Sequence, residues 1–171
     1  IGFNETGSIM YLVVVDGLQA TSDGLGLADL GVLMAELGVY NATNLDGGGS
    51  TTMGAVAPGE EEADVPHNPS DGYERPVPNG IGLYVERGSG EVTGYNVSSL
   101  LQVGQPERIF PGLTRQIQGK GYDETGSAVP GTVPAWSTST GSATVELNGD
   151  HTATVTGVAA GNDTVTASQG Q

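Results

Sequence analysis

Hydrophobic and polar positions follow different periods in the two halves of the chain. Ile9 to Val15 (Ile-Met-Tyr-Leu-Val-Val-Val) is a continuous apolar run that stops at Asp16-Gly17. Continuous rather than alternating hydrophobicity predicts a central strand buried on both faces. Asn4 to Ser8 is a turn by composition, so Ile1 to Phe3 is expected to be the remnant of a hairpin partner. Leu27, Leu30, Leu33, Met34 and Leu37 then repeat at helical spacing, and Gly38 is placed to end that helix. These positions read as core, with Ser22 and Asp23 as candidate caps upstream. Val39 to Leu45 and Gly80 to Val85 complete the strands expected in this half.

After Gly88-Ser89-Gly90 the helical period disappears and turn signals recur: Pro111-Gly112, Asp123 to Gly126, Pro130-Gly131, Asn148-Gly149 and Gly161 to Asp163. Short strands are predicted between them. Leu113 to Gly119 alternates, Ala135 to Thr138 holds Trp136, and Ala143 to Leu147 faces Thr152 to Val158 across an Asn-Gly hairpin. Trp136 is expected in the core between two sheets rather than as a sugar-stacking platform. The fold class expected is α+β, a mixed sheet with few helices over residues 1–88, then a linker at 89–95 and an all-β sandwich over 96–171.

Composition agrees with strands and turns and narrows the partners. Among 171 residues there are 29 Gly and 9 Pro, and 36% are hydrophobic. No apolar run approaches the roughly 18 residues of a membrane span. Asp and Glu number 20 against 5 Lys and Arg, a net charge of −15, which argues against nucleic acid as a partner. Such an acid excess suits a salt-adapted or a secreted protein. Without cysteine there are neither disulfides nor thiolate metal sites. The N-x-S/T triplets at Asn4, Asn41, Asn96 and Asn162 are at the frequency chance gives a Ser/Thr-rich chain.

The chemistry concentrates at Asn44-Leu45-Asp46-Gly47-Gly48-Gly49-Ser50-Thr51-Thr52-Met53. Three glycines let the backbone turn sharply and aim N–H groups at an anion, with Asp46 at the rim. A flexible turn is the bland reading of Gly-Gly-Gly, and Asn44, Asp46, Ser50 and Thr51 weigh against it. Asp16 leaves the end of the first strand as Asp46 leaves the end of a later one. If those strands are parallel neighbours, both carboxylates open on one sheet edge. Arg75, one of few cations, carries a planar fork of donors suited to phosphate, against the plainer reading of a surface ion pair with Glu74 or a neighbour. The acidic stretch Ala57 to Pro66 reads as a solvated loop, and His67 and His151 as ordinary surface residues.

Val15-Asp16-Gly17, the helix, Asn44-Leu45-Asp46-Gly47-Gly48-Gly49-Ser50, Asn68-Pro69 and Glu74-Arg75 through Asn79 together resemble the C-terminal half of the phosphodiester glycosidase family. Family members carry a substantial portion ahead of this segment, so the chain is expected to open inside the domain. The resemblance implies hydrolysis of the bond between a sugar anomeric carbon and a phosphodiester. Phe110 to Thr114, Ala135-Trp136-Ser137 and Gly157 to Ala167 resemble bacterial immunoglobulin-like domains of exported proteins. That implies a spacer or anchor, an extracellular or cell-surface location, and attachment to the cell envelope.

Cleaving a glycosyl phosphate needs a carboxylate for the oxocarbenium-like sugar and donors for the phosphate. Asp46 is the first candidate for the carboxylate and Asp16 the second. Gly47, Gly48, Gly49, Ser50, Thr51 and Arg75 are candidate phosphate donors; Asn44, Asn68 and Asn79 could orient sugar hydroxyls. No cofactor is required by this chemistry. Asp16, Asp23 and Asp46 also offer oxygen ligands of the kind Ca²⁺ or Mg²⁺ accepts, though no metal-loop spacing is present. The competing functions are an inactive carbohydrate-binding or adhesion protein and a metal-dependent phosphoesterase.

Overall fold

The computed structural model describes residues 1–101 and 107–170. Its chain divides into two units, Ile1–Ala55 with Asp64–Gly82, and Val56–Ala63 with the chain from Leu83 onward. The described structure is mostly sheet with one α-helix.

In the first unit the expected hairpin forms. β1 (Gly2–Phe3) pairs antiparallel with β2 (Met10–Tyr11) through Gly2↔Tyr11 and Phe3↔Met10, and the Asn4 N–H closes the turn on the Ile9 carbonyl at 3.1 Å. β1 also pairs antiparallel with β3 (Asn41–Ala42), giving the order β2-β1-β3. Ile9 to Val15 is therefore not a central strand buried on both faces: only Met10–Tyr11 is paired, at the sheet edge, and Ile9 and Leu12 are exposed. A β-branched run becomes a strand only as far as a partner accompanies it, and β1 accompanies it for two residues. The same reason limits Val39 to Leu45 to β3. Among the described residues nothing pairs with Gly80 to Val85, and Ile81, Leu83, Tyr84 and Val85 are exposed.

The helical period is realised as α1 (Leu27–Glu36). Gly38, at φ +89°, lets the chain reverse while the N–H groups of Leu37, Gly38 and Val39 satisfy the Leu33, Ala35 and Met34 carbonyls. Its N-cap is Gly26, without a side-chain bond, and neither Ser22 nor Asp23 caps it. Ser22 instead donates to the Asp16 carbonyl at 2.6 Å. Only Met34 of the five periodic residues is buried; Leu27 and Leu37 are exposed.

The second unit follows its sequence pattern more closely. β4 (Gly94–Ser99), β5 (Thr114–Tyr122), β7 (Ala143–Leu147) and β8 (Thr152–Gly157) form an antiparallel sheet in the order β4-β5-β8-β7. β6 (Ala135–Thr138) and β9 (Val165–Ser168) form a second, two-stranded sheet. Inward residues of the larger sheet, Ile117, Ala153 and Val155, make the buried core, with Trp136 from β6 and Val165 from β9 packed on it. The turn β7-Asn148-Gly149-β8 is the expected hairpin, with Gly149 at φ +97°. Part of the acidic stretch read as a free loop belongs to this unit: Gly59 is buried, its N–H reaches the Gly126 carbonyl at 3.1 Å, and Glu60 pairs with Lys120 at 2.6 Å.

Two carboxylates organise the loops of this unit. Asp123, 2% exposed, accepts from the N–H groups of Thr125 and Ser127 and from the Thr125 hydroxyl, and so shapes the predicted turn. Asp163 accepts from the N–H groups of Thr140, Ala143 and Ser139 and from the Ser139 hydroxyl, tying the β6–β7 connection to the start of β9. The Thr140 N–H, then those of Ala143 and Ser139, hold Asp163 far below the usual carboxylate range. A carboxyl whose folded pKa is depressed stabilises the fold in full above its unfolded value, about 3.9, and loses that contribution as pH falls toward the folded value. Thermal unfolding of the wild type is expected to drop steeply below about pH 4, and Asp163→Asn should flatten that drop while lowering the midpoint at pH 7. Calorimetry across pH 2 to 7, on both chains, checks it.

Candidate active site

The Gly-rich stretch forms an open loop with a short 3₁₀ turn at Gly48–Ser50. Gly48 sits at φ +71°, a conformation side chains other than glycine rarely adopt. Such a turn leaves the N–H groups of Gly48 and Gly49 without a partner inside it. A Cβ on Gly49 would fall onto the Arg75 guanidinium and the Asp71 carboxylate, so position 49 is glycine because that ion pair lies against its backbone. The loop thus has an acidic rim at one end and a cation at its middle.

Asp46 accepts from the Ser50 hydroxyl at 2.8 Å, and Ser50 also reaches the Gly47 carbonyl at 3.1 Å. The Ser50 hydroxyl, the Gly47 N–H and the charge of Arg75, in that order of the lowering effects, hold the Asp46 carboxyl below its ordinary range. Asp46 is therefore ionised at neutral pH, suited to stabilise or attack a cationic sugar and unsuited to donate a proton. Removing its main donor in Ser50→Ala is expected to move the Asp46 titration upward, and the acid limb of any activity with it. Carboxyl ¹³C shifts of Asp46 followed against pH in both proteins read this directly.

Asp16 emerges from the other strand of the pair. β2 and β3 both run antiparallel to β1, so they point the same way, and Asp16 and Asp46 follow their ends by five and four residues. They are not the neighbours that the sequence reading considered, because β1 lies between them. One oxygen of Asp16, Oδ1, accepts from the Asn68 N–H at 3.0 Å and lies 3.4 Å from His67 Nδ1. Gln19 holds the Asn68 carbonyl at 2.6 Å, so the backbone of Asn68 is fixed between the two. Asn68 acts through its main chain here, where the sequence suggested its side chain.

Arg75 lies beside the loop but is engaged by Asp71, whose Oδ2 accepts from Nε at 2.9 Å and Nη2 at 2.6 Å. The pairing is to Asp71 rather than Glu74, and it runs through Nε and Nη2. Thr51 places its hydroxyl 3.5 Å from the Asp46 carbonyl. Asn44 turns its amide onto the Leu45 carbonyl at 2.8 Å, and Asn79 is exposed with no side-chain bond to the loop. Among the described residues no three His, Asp or Glu side chains converge as a metal cluster. A cavity of about 400 Å³ in the second unit, lined by Glu60, Lys120, Thr132 and His151 among others, includes none of the candidate catalytic or substrate-binding residues.

His67 is what the sequence reading missed. Its ring is 8% exposed, and Nε2 accepts the Met53 N–H at 2.9 Å while Nδ1 faces Asp16. It is not an ordinary surface residue. A lone histidine in a turn carries no sequence signal; its partners lie 14 and 51 residues upstream, and only the fold brings them together.

Residues 1–84 match the model of the phosphodiester glycosidase family, just short of half the 171 residues. No curated protein and no solved structure matches the chain. The matched stretch holds every residue described at this site. The match points to a glycosidase-type hydrolase acting on a glycan-type substrate. Among the described residues no helix is long and apolar enough to cross a membrane.

Proposed function

We propose that the protein hydrolyses the bond between a sugar anomeric carbon and a phosphodiester, with Asp46 as the carboxylate at the reacting carbon. The observation that carries this reading is an ionised Asp46 fixed by Ser50 at the rim of a glycine turn that packs on Arg75. The phosphate would lie on the Gly48 and Gly49 N–H groups and Arg75 Nη1, a donor set that stabilises charge as it develops on the departing phosphate. A phosphomonoester is a good leaving group, so the site needs no strong acid opposite Asp46. Asp16, whose Oδ2 has no partner among the described residues, is the second carboxylate and could activate water. The substrate class is an N-acetylglucosamine-1-phosphodiester or a cell-envelope glycosyl phosphate. The second unit serves as an immunoglobulin-like spacer or anchor outside the cell, a reading supported by its resemblance to modules of exported proteins and by its two facing sheets.

The test is incubation with an α-N-acetylglucosaminyl phosphodiester and a small panel of other glycosyl phosphates, with and without a chelator. Release of free sugar that survives chelation supports the reading. Release abolished by the chelator and restored by a divalent ion transfers the site to a metal-dependent phosphoesterase, and no release from any member refutes both.

A further inference from the structure

We infer that His67 is a positioning residue that locks the second carboxylate and the Gly-rich loop into one unit, and this rests on the glycosidase reading for its kinetic consequence. The imidazole accepts a hydrogen bond at Nε2 and faces a carboxylate oxygen at Nδ1. Because Nε2 accepts the Met53 N–H at 2.9 Å, that nitrogen carries the lone pair, and the ring proton resides on Nδ1, facing Asp16 Oδ1 at 3.4 Å. Its burial to 8% exposure protects both contacts from water. The two partners arrive from separate parts of the unit, Met53 from the end of the loop that begins at Asn44 and Asp16 from the chain after β2. The Asn68 N–H donates to Oδ1 of Asp16, the same oxygen the His67 ring faces, and among the described residues Oδ2 has no partner, so the ring and the Asn68 N–H together favour offering Oδ2 to a substrate or water. On the other side it fixes Met53, and through it the loop that would receive the phosphate.

The two halves of this role separate by substitution. In His67→Asn the side-chain amide can occupy the Nδ1 position and still face Asp16, but it cannot reach Met53. In His67→Gln the longer side chain can place its carbonyl where Nε2 was and accept from Met53, with no donor left for Asp16. A hydrogen bond to a charged or loop-fixing group changes rates by roughly ten- to hundredfold. His67→Asn is therefore expected to raise KM about tenfold with kcat nearly unchanged, and His67→Gln to lower kcat about tenfold with KM nearly unchanged. A residue that only supported folding would move both constants alike in both variants.

The experiment is ¹⁵N NMR of the wild-type imidazole together with the Met53 amide shift and these kinetics. A protonated Nδ1 with an unprotonated Nε2, and a Met53 amide displaced in His67→Asn but not in His67→Gln, confirm the lock. A ring protonated on Nε2 overturns it in the wild type alone, whatever the variants do, and an equal displacement in both variants overturns it as well. If the wild type cleaves no glycosyl phosphate, the glycosidase reading fails while the nitrogen and amide shifts still decide the lock.

Discussion

Asp46→Asn is expected to slow hydrolysis of a glycosyl phosphodiester about 10³-fold while leaving the chain folded. The substitution keeps the size of the side chain and an oxygen able to accept from Ser50, whose bond to Asp46 is 2.8 Å, so the loop has no reason to rearrange. What it removes is the negative charge. The transition state for leaving-group departure carries positive character on the sugar, and a neutral amide neither stabilises it nor attacks it. The loss should fall on kcat, since the phosphate donors that set binding are untouched. Circular dichroism melts separate this outcome from unfolding: the midpoint should stay within a few degrees of the wild type. A variant that keeps more than a tenth of the wild-type rate would move the carboxylate role to Asp16.

The second large effect is on stability and concerns Trp136. Its ring packs on the Ile117, Ala153 and Val155 core, and it lies so close to Gly119 that a Cβ there would stand 3.0 Å from the indole Cη2. Its Nε1 is buried without a hydrogen-bond partner among the described residues, so truncation gives up apolar contact and no polar interaction seen there. Trp136→Ala should therefore cost about 3 kcal/mol through lost burial and the cavity left between the sheets. In urea that corresponds to a midpoint lower by roughly 1.5 to 3 M, followed by circular dichroism because the only tryptophan is gone. A loss under about 1 kcal/mol, with weakened binding to polysaccharide, would place the ring on a sugar-binding face instead.

The parts of this fold that were legible in the sequence are those whose structure is local. The hairpin over Asn148-Gly149, the alternation that becomes β5, and β6 around Trp136 each declare themselves within a few residues. α1 and its end at Gly38 do likewise. Ile9 to Val15 and Gly80 to Val85 were overread because strand formation requires a partner, and the apolar pattern does not say where that partner stops. Leu27 and Leu37 share the period of Met34 yet remain exposed, because a period describes a face and not what covers it. At the site, Asp16, Asp46, the glycine turn and Arg75 belong to one unit. The Asp71 partner of Arg75 sits at the readable spacing of four residues, whereas the bonds of His67 depend on chain crossings that no local pattern encodes.

The central claim is that the bond broken lies on the sugar side of the glycosidic oxygen. Hydrolysis of an α-N-acetylglucosaminyl phosphodiester in ¹⁸O water distinguishes the two sides by mass, since both cleavages release sugar and phosphomonoester. The account predicts the label on the anomeric carbon of the released sugar, with the labelled product lost in Asp46→Asn. Label on the phosphorus would contradict it.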